Sequence, residues 1–570
     1  MHFLGLVALL STLATSGFAA PYNVRDYGAK GDGTTVDSPS INAAITAAAQ
    51  AGGGTVVLPA GRYLSFSLRL KSNLCLQFEP GAVLVAAEPS PTAGQYDAAE
   101  PNASQLYQDF GHSHWQNSLI WGDGLENVSI VGPGLIDGSN VLTRSGPPAR
   151  RDVPPTGSPA PAAVEPSTAA VAPSSPPSPP GARSARNMDG LGNKAIALKN
   201  CRNVTLRDFS VLNGGHFALL ATGVDHLTLD NLKIDTNRDG FDIDACRNVR
   251  IANCTVNAPH DDAIVLKSSY ALGSARATEN VTITNCAVSG YDIGSVLAGT
   301  YLRTMERAPD RDGPTGRIKL GTESNGGFRN IVIANCTFER SRGLALETVD
   351  GGEIEDVVIT GLTLREITNS PIFIRLGNRA RGPDGTPIGA IRRVKISHVT
   401  VDRADGRFPI LLAGLPDHPI EDVTLSDLHV VSRGGFTPEQ VTQQPAELVN
   451  PFFLRGSEAG VTGPREPLAV PERAAAYPEP SMFGLLPAAA LYARHVSNLS
   501  IRDVTFSFTQ PDGRPVVVLD DVVGSSFDNV RAPRAGGVPA FVLRKIRDFA
   551  TRRSLDVVDT KIDAADAQSL

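Results

Sequence analysis

NVTLRDFSV (203–211), HLTLDNLKI (226–234) and NVRIANCTV (248–256) are three writings of one nine-residue phrase: Asn or Asp, here once His, then apolar residues at the second, fourth, seventh and ninth places. The phrase, or one close to it, returns as NVTITNCAV (280–288), NIVIANCTF (330–338), DVVITGLTL (356–364), RVKISHVTV (393–401), DVTLSDLHV (422–430) and NLSIRDVTF (498–506), with ENVSIVGPGLIDG from Glu126 as an earlier cousin. Alternating apolar residues make a short strand, the two-residue break makes a turn, and the last pair opens a second strand. The first apolar positions are Val204, Leu227, Val249, Val281, Ile331, Val357, Val394, Val423 and Leu499. The first steps between them are 23 and 22 residues and later ones are longer, which reads as one unit with loops inserted. Such a unit cannot bury its apolar face alone. Stacking successive units buries a continuous core, which predicts a parallel β-helix. A leucine-rich repeat of similar period needs an L-x-x-L-x-L frame and a helical segment, and neither is present.

A solenoid grows without splitting its core, so 570 residues need not mean several domains. Hydrophobic residues are 41% of the chain, an ordinary globular share. The 52 basic and 59 acidic residues give a net charge of −7, and there is no Lys/Arg run, which argues against nucleic-acid binding. Residues 1–20, MHFLGLVALLSTLATSGFAA, read as a secretory leader, so the expected location is secreted or periplasmic. No later apolar stretch is long enough to span a membrane. The protein is expected to be a monomer with no cofactor and no metal.

Residues 21–142 read as an N-terminal cap and the first coils, with an Ala-rich helix from Ser40 to Ala51 closing the open end of the core. Residues 143–187 are rich in Pro, Ala and Ser and read as a disordered insertion within one solenoid. The repeat resumes over 188–550, the stretch 432–492 reads as a long loop over one face, and 551–570 as a polar, frayed tail. Cys254, Cys286 and Cys336 fill a slot that Phe209, Leu232, Leu362, Val399, Leu428 and Val504 fill in other coils, so cysteine here reads as a core hydrophobe. Most of the Asn-x-Ser/Thr sequons, such as those at Asn203 and Asn280, fall where the phrase places an Asn turn before a Thr-bearing strand, and read as turns.

Twelve positions after the first apolar residue, consecutive coils carry Asp239 and Asp261, and Asp262 follows directly. Stacked strands lie about 4.7–4.9 Å apart. Carboxylates that close raise at least one pKa and leave a proton available, which is what acid/base cleavage of a glycosidic bond requires. The same residues would also suit turn capping or Ca²⁺. His112, His114 and Trp115 in FGHSHW are further candidates, with packing the expected role.

The cap GAKGDGTTVD…GGGTVVLPAGRY, then GPGLIDG, then Asn-x-Asp-Gly (237–240), then Asp261-Asp262 one coil later, then Lys267-Ser268, resembles glycoside hydrolase family 28, the polygalacturonases and their relatives. The resemblance implies a right-handed β-helix that hydrolyses a pectic polysaccharide or oligosaccharide with inversion. It implies Asp261 as general acid and Asp239 with Asp262 as the pair that deprotonates water. Asn237, Lys267, Arg317 and Lys319 are the implied substrate-binding residues. In an inverting enzyme acid and base are expected about 6.5–9.5 Å apart. Where the family has Asn-Thr-Asp this chain has Asn237-Arg238-Asp239, and Tyr291-Asp292-Ile293 stands where Gly-His-Gly is expected. Either Arg317-Ile318-Lys319 is the family's carboxylate-gripping Arg-x-Lys, or it belongs to the coil of the missing His and Glu347 stands in the Lys place. A Ca²⁺-dependent polysaccharide lyase and a non-catalytic carbohydrate-binding β-helix are the alternative readings.

Overall fold

The computed structural model describes residues 21–143, 188–450 and 464–570. The expected leader, and all but the first residue of the expected insertion, lie outside these residues.

The nine first apolar positions stand in one parallel ladder in unbroken register, Val204 beside Leu227, Leu227 beside Val249, and onward to Val423 beside Leu499. Each regular coil has three short strands, and each pairs with its equivalent one coil away. Arg202–Arg207, Ser210–Leu212 and Phe217–Thr222 pair in turn with Asp225–Asp230, Lys233–Asp235 and Asp239–Asp244. The coils form a right-handed parallel β-helix, the sense in which a twisted strand feeds a parallel neighbour. Alternation sends Val204, Leu227, Val249 and Val281 inward, each 0–1% exposed, and full burial of such a side chain contributes about 1.5–3 kcal/mol. Cys254, Cys286 and Cys336 join this core, and all six cysteines are free.

The ladder runs two coils past the last phrase, with Leu499 beside Ser525 and Ser525 beside Phe549. The serine breaks the apolar frame, so these coils, which fall in the expected solenoid 188–550, carry no copy of the phrase. At the N-terminal end the helix Ser38–Gln50 lays Ile41, Ala44, Ile45 and Ala48 on the core. The GAKGDG loop closes on the chain's own Asp37, whose carboxylate accepts from Lys30 N at 2.6 Å and Gly31 N at 2.9 Å. At the other end the expected frayed tail is instead a strand, Thr560–Ser569, antiparallel to Phe541–Arg552. It is polar because most of its residues face outward, and it covers the open edge of the last coil.

Within 432–492, residues 464–490 pack Val470, Met482, Phe483 and Leu486 against Ala345, Phe373, Leu411 and Tyr492, on the outer face of the third ladder. Of the seven sequon asparagines, Asn102 is extended at φ −138°, and Asn127, Asn203, Asn253, Asn280, Asn335 and Asn498 are left-handed, with φ from 55° to 58°. Asn tolerates that corner where most residues do not.

Candidate active site

The site lies along the third ladder. Its strands are β1 (Phe217–Thr222), β2 (Asp239–Asp244), β3 (Ile264–Lys267), β4 (Ile318–Leu320), β5 (Leu344–Thr348) and β6 (Ile372–Leu376). Phe241, Ile264, Ile318, Leu344 and Ile372 mark one register through β2–β6. Gly240 N donates to Asp262 O at 3.0 Å and Phe241 N to Ala263 O at 2.9 Å. The stacked neighbour of Asp239 is therefore Asp262, and not Asp261 as the twelve-residue count has it. From Leu227 to Phe241 is 14 residues (241 − 227), whereas from Val249 to Ile264 is 15 (264 − 249). The extra residue enlarges the turn before β3 and pushes Asp261 outward. Its side chain is 24% exposed, against 3% for Asp239 and 4% for Asp262.

One carboxylate oxygen from each of the three lies within 4.8 Å of the others. That is closer than the 6.5–9.5 Å expected for an inverting pair, because adjacent strands set the spacing. The three environments differ. Burial and the neighbouring Asp261 carboxylate push Asp239 well above the ordinary range, against the pull of Lys267 and Arg238. Burial also raises Asp262, but Lys319 and Arg317 outweigh it and hold this carboxyl down at about 2. Asp261 is paired with Arg238, whose Nη2 lies 2.5 Å from its Oδ2 and 3.8 Å from Asp239. Asp239 is thus held toward its protonated form and Asp262 toward its ionised one. Three such oxygens could also hold a hard divalent cation, but arginines and lysines already engage them.

The implied substrate-binding residues are drawn together only in part. Arg317 and Lys319 lie in β4 and the residue before it, directly beside the coil of Asp262. Of the two alignments, this places them in the coil of the missing His, with Glu347 on the next coil in β5. Both are committed internally. Arg317 donates from Nε to Asp262 at 2.7 Å and from Nη2 and Nη1 to Glu479 at 2.6 and 3.2 Å. Lys319 Nζ lies 3.2 Å from Glu347 and 3.4 Å from Asp262, and donates to the Tyr477 hydroxyl at 3.3 Å. Lys267 meets Asp242 and Glu323, each at 3.1 Å, and His112 Nε2 at 2.5 Å. Asn237 sits in the turn before β2, its side-chain oxygen accepting from Arg238 N at 3.1 Å. In FGHSHW, Trp115 is packing, buried with Nε1 bonded to Thr222. His114 stacks on Phe110, and only His112 reaches the cavity wall.

The cavity over these groups measures about 260 Å³. Sequence reasoning missed much of its wall: Asp109, His260, Asp310, Glu323, Arg342, Arg381, Tyr477 and Glu479. Most come from loops with no period to align them, and Tyr477 and Glu479 arrive on the 464–490 segment more than two hundred residues after Asp262. Asp310 sits on the charged insertion that follows Tyr291 and pairs with Arg342 at 2.6 Å.

Residues 183–304, which carry all three aspartates, match the family model Glycosyl hydrolases family 28. Residues 22–101 match Rhamnogalacturonase A/epimerase, pectate lyase-like. Among curated proteins, the mannuronan C5-epimerase AlgE4 of Azotobacter vinelandii is 50% identical over 66 residues, 12% of each chain. The exo-poly-α-D-galacturonosidase of Dickeya chrysanthemi is 33% identical over 139 residues, 23% of this chain and 21% of that protein. The chain spans 12% or less of the length of the first curated relatives it matches. Among solved structures, the family 28 exopolygalacturonase of Yersinia enterocolitica superposes with a TM-score of 0.55 at 17% identity, over 95% of this chain and 80% of that one. This shared fold is the β-helix described above.

Proposed function

We propose that this chain, whose residues 183–304 match glycosyl hydrolases family 28 and carry its three clustered carboxylates, hydrolyses glycosidic bonds of a pectic polysaccharide or oligosaccharide. The observation that carries the reading is the set Asp239, Asp261 and Asp262, gathered within 4.8 Å in three different electrostatic settings. Asp261, the most exposed, reaches the leaving oxygen as general acid. Asp239 and Asp262 hold the attacking water between them. A water bonded at about 2.7 Å to each of two oxygens spans about 4.5 Å, which suits their separation. The water then attacks from the face opposite the leaving group, and the anomeric configuration inverts. Arg317 and Lys319 keep Asp262 ionised for this task, and Lys267 supplies a further positive charge toward Asp239. We read the protein as exported, on the leader-like residues 1–20, and as a monomer.

A lyase or epimerase reading draws on the pectate lyase-like match at 22–101. That segment contains none of the three aspartates, so the match does not speak for their chemistry. The deciding experiment incubates the full chain with a panel of pectic fragments and follows reducing ends, ultraviolet absorbance and, by NMR, the anomer first formed. New reducing ends of inverted configuration with flat absorbance are expected. A rise in absorbance means an unsaturated product and a lyase. No product, with retained sugar binding, means a binding protein.

A further inference from the structure

Among the cations of the cavity wall, Arg238 is the one paired with Asp261, while the more exposed Arg381 meets Glu323. The side chains of Arg317, Lys319, Lys267 and Arg342 are 1–8% exposed, and each meets two carboxylate residues or more. Arg238 also meets two, Asp261 at 2.5 Å and Asp239 at 3.8 Å, but both contacts run through Nη2 and its side chain is 18% exposed. Its Nε is buried with no hydrogen-bond partner among the described residues. A guanidinium offers five N–H groups in a fork that fits a carboxylate, so Arg238 has donors to spare. It also occupies, at 2.5 Å, the Asp261 oxygen that an acid must present to the leaving group. Burial and the Asp261 carboxylate meanwhile raise Asp239.

We propose that Arg238 is the specificity-determining residue of this site: it takes the carboxylate of a uronate sugar and, in turning to it, frees Asp261 to act as the acid. The inference rests on the hydrolase reading above. Asp261 gives one proton to the leaving oxygen and the Asp239–Asp262 pair takes one from the attacking water, so no proton enters or leaves the site. A neutral sugar gives Arg238 no reason to leave, so Asp261 stays paired and the chemical step is slow. The charged and titratable groups around Arg238 and Asp261 are Asp239, Asp262, His260, Lys267, Asp109 and Tyr477. His260 is pushed down by burial and by Arg238 itself.

The test compares the wild-type chain with Arg238→Gln and Arg238→Lys on oligosaccharides identical except that the uronates are free or methyl-esterified. Values of kcat and KM are determined for each, with calorimetric binding of galacturonate and galactose alongside and thermal melts to confirm folding. The wild type should prefer the free uronate by about 10²-fold or more in kcat/KM, the discrimination a site built around one polar contact supports. In Arg238→Gln the preference should fall to within about tenfold, with kcat on the ester raised above the wild-type value, and Arg238→Lys should lie between. If Arg238→Gln lowers both substrates by the same factor, the residue only props up Asp261 and the proposal fails. If the wild type cleaves neither substrate yet binds galacturonate over galactose, and Arg238→Gln loses that preference, the recognition stands and the hydrolase reading falls.

Discussion

In the template ladder Leu227, Val249 and Val281 lie one above another, and each meets its equivalents in the coils on either side. Beside the third ladder the arrangement is different. Asp262 is held by Arg317 one coil away, and Arg317 reaches Glu479, 162 residues further along the chain. The first wall repeats a local rule, so its stability comes from many equivalent burials. The second is a single network in which each charge is tolerable only because another is present. The ladder should therefore accept exchange of one apolar residue for another, whereas the cavity should answer a change of charge with lost chemistry or a changed pH response.

The largest effects should come from Asp239→Asn, Asp261→Asn and Asp262→Asn, which keep size and remove charge. Each should cut kcat by about 10²–10⁴. The environments make the three separable. Asp239 is held toward its protonated form, so its amide should leave thermal stability nearly unchanged. Asp262→Asn should lower stability too, because it takes from Arg317 and Lys319 a buried counter-charge. Only Asp261→Asn should be rescued by a substrate whose leaving group needs no protonation. Full activity of Asp261→Asn on the natural substrate would remove it as the acid.

This contrast also explains what was legible beforehand. The ladder could be read because Val204 to Leu499 obey a period, and the structure places all nine in one register. The aspartates could be found because they stand a fixed count after apolar residues whose period was known. Their partnership could not be read correctly, since one extra residue in the turn before Ile264 shifts Asp262, rather than Asp261, beside Asp239. Arg317 and Lys319 could be found as charges. That they serve Asp262, Glu347 and Glu479 depends on β4 lying directly beside β3 and on Glu479 folding back across the chain. The final strand, Thr560–Ser569, was hidden because its outward face is polar.

A second difference between the two walls is sensitivity to pH. The apolar stack has none, so Glu347 offers a way to see the cavity alone. Burial raises its carboxyl from 4.5 to about 7, with Lys319 and Arg317 opposing and Glu479 and Asp262 adding to the rise. A carboxyl raised on folding binds its proton more tightly in the folded state. Its contribution to stability is therefore full below pH about 4.5 and is lost as pH rises through about 7. Glu347→Gln keeps the shape and cannot ionise. Wild type and variant should melt alike at pH 4, and by pH 8 the variant should be more stable by on the order of 2–3 kcal/mol. Parallel melting curves across this range would show that Glu347 is already ionised at neutral pH, held by Lys319.

The smallest effect belongs to the repeating wall and tests why its corners are asparagine. Asn203 sits at φ 57° and donates from its side chain to Asn127 Oδ1 at 2.7 Å. Both residues are exposed, so the bond between them contributes little. The backbone conformation should matter more, because a left-handed residue bearing an ordinary Cβ costs about 1–2 kcal/mol where glycine and asparagine are tolerated. Asn203→Ala should thus destabilise the protein by about 1 kcal/mol, and Asn203→Gly by less than half of that, as followed by equilibrium denaturation. Both changes remove the same side-chain bond and the same sequon, so the gap between them reports the corner conformation alone. Equal losses in the two variants would mean that the side chain, through its ladder or an attached glycan, is what the position requires.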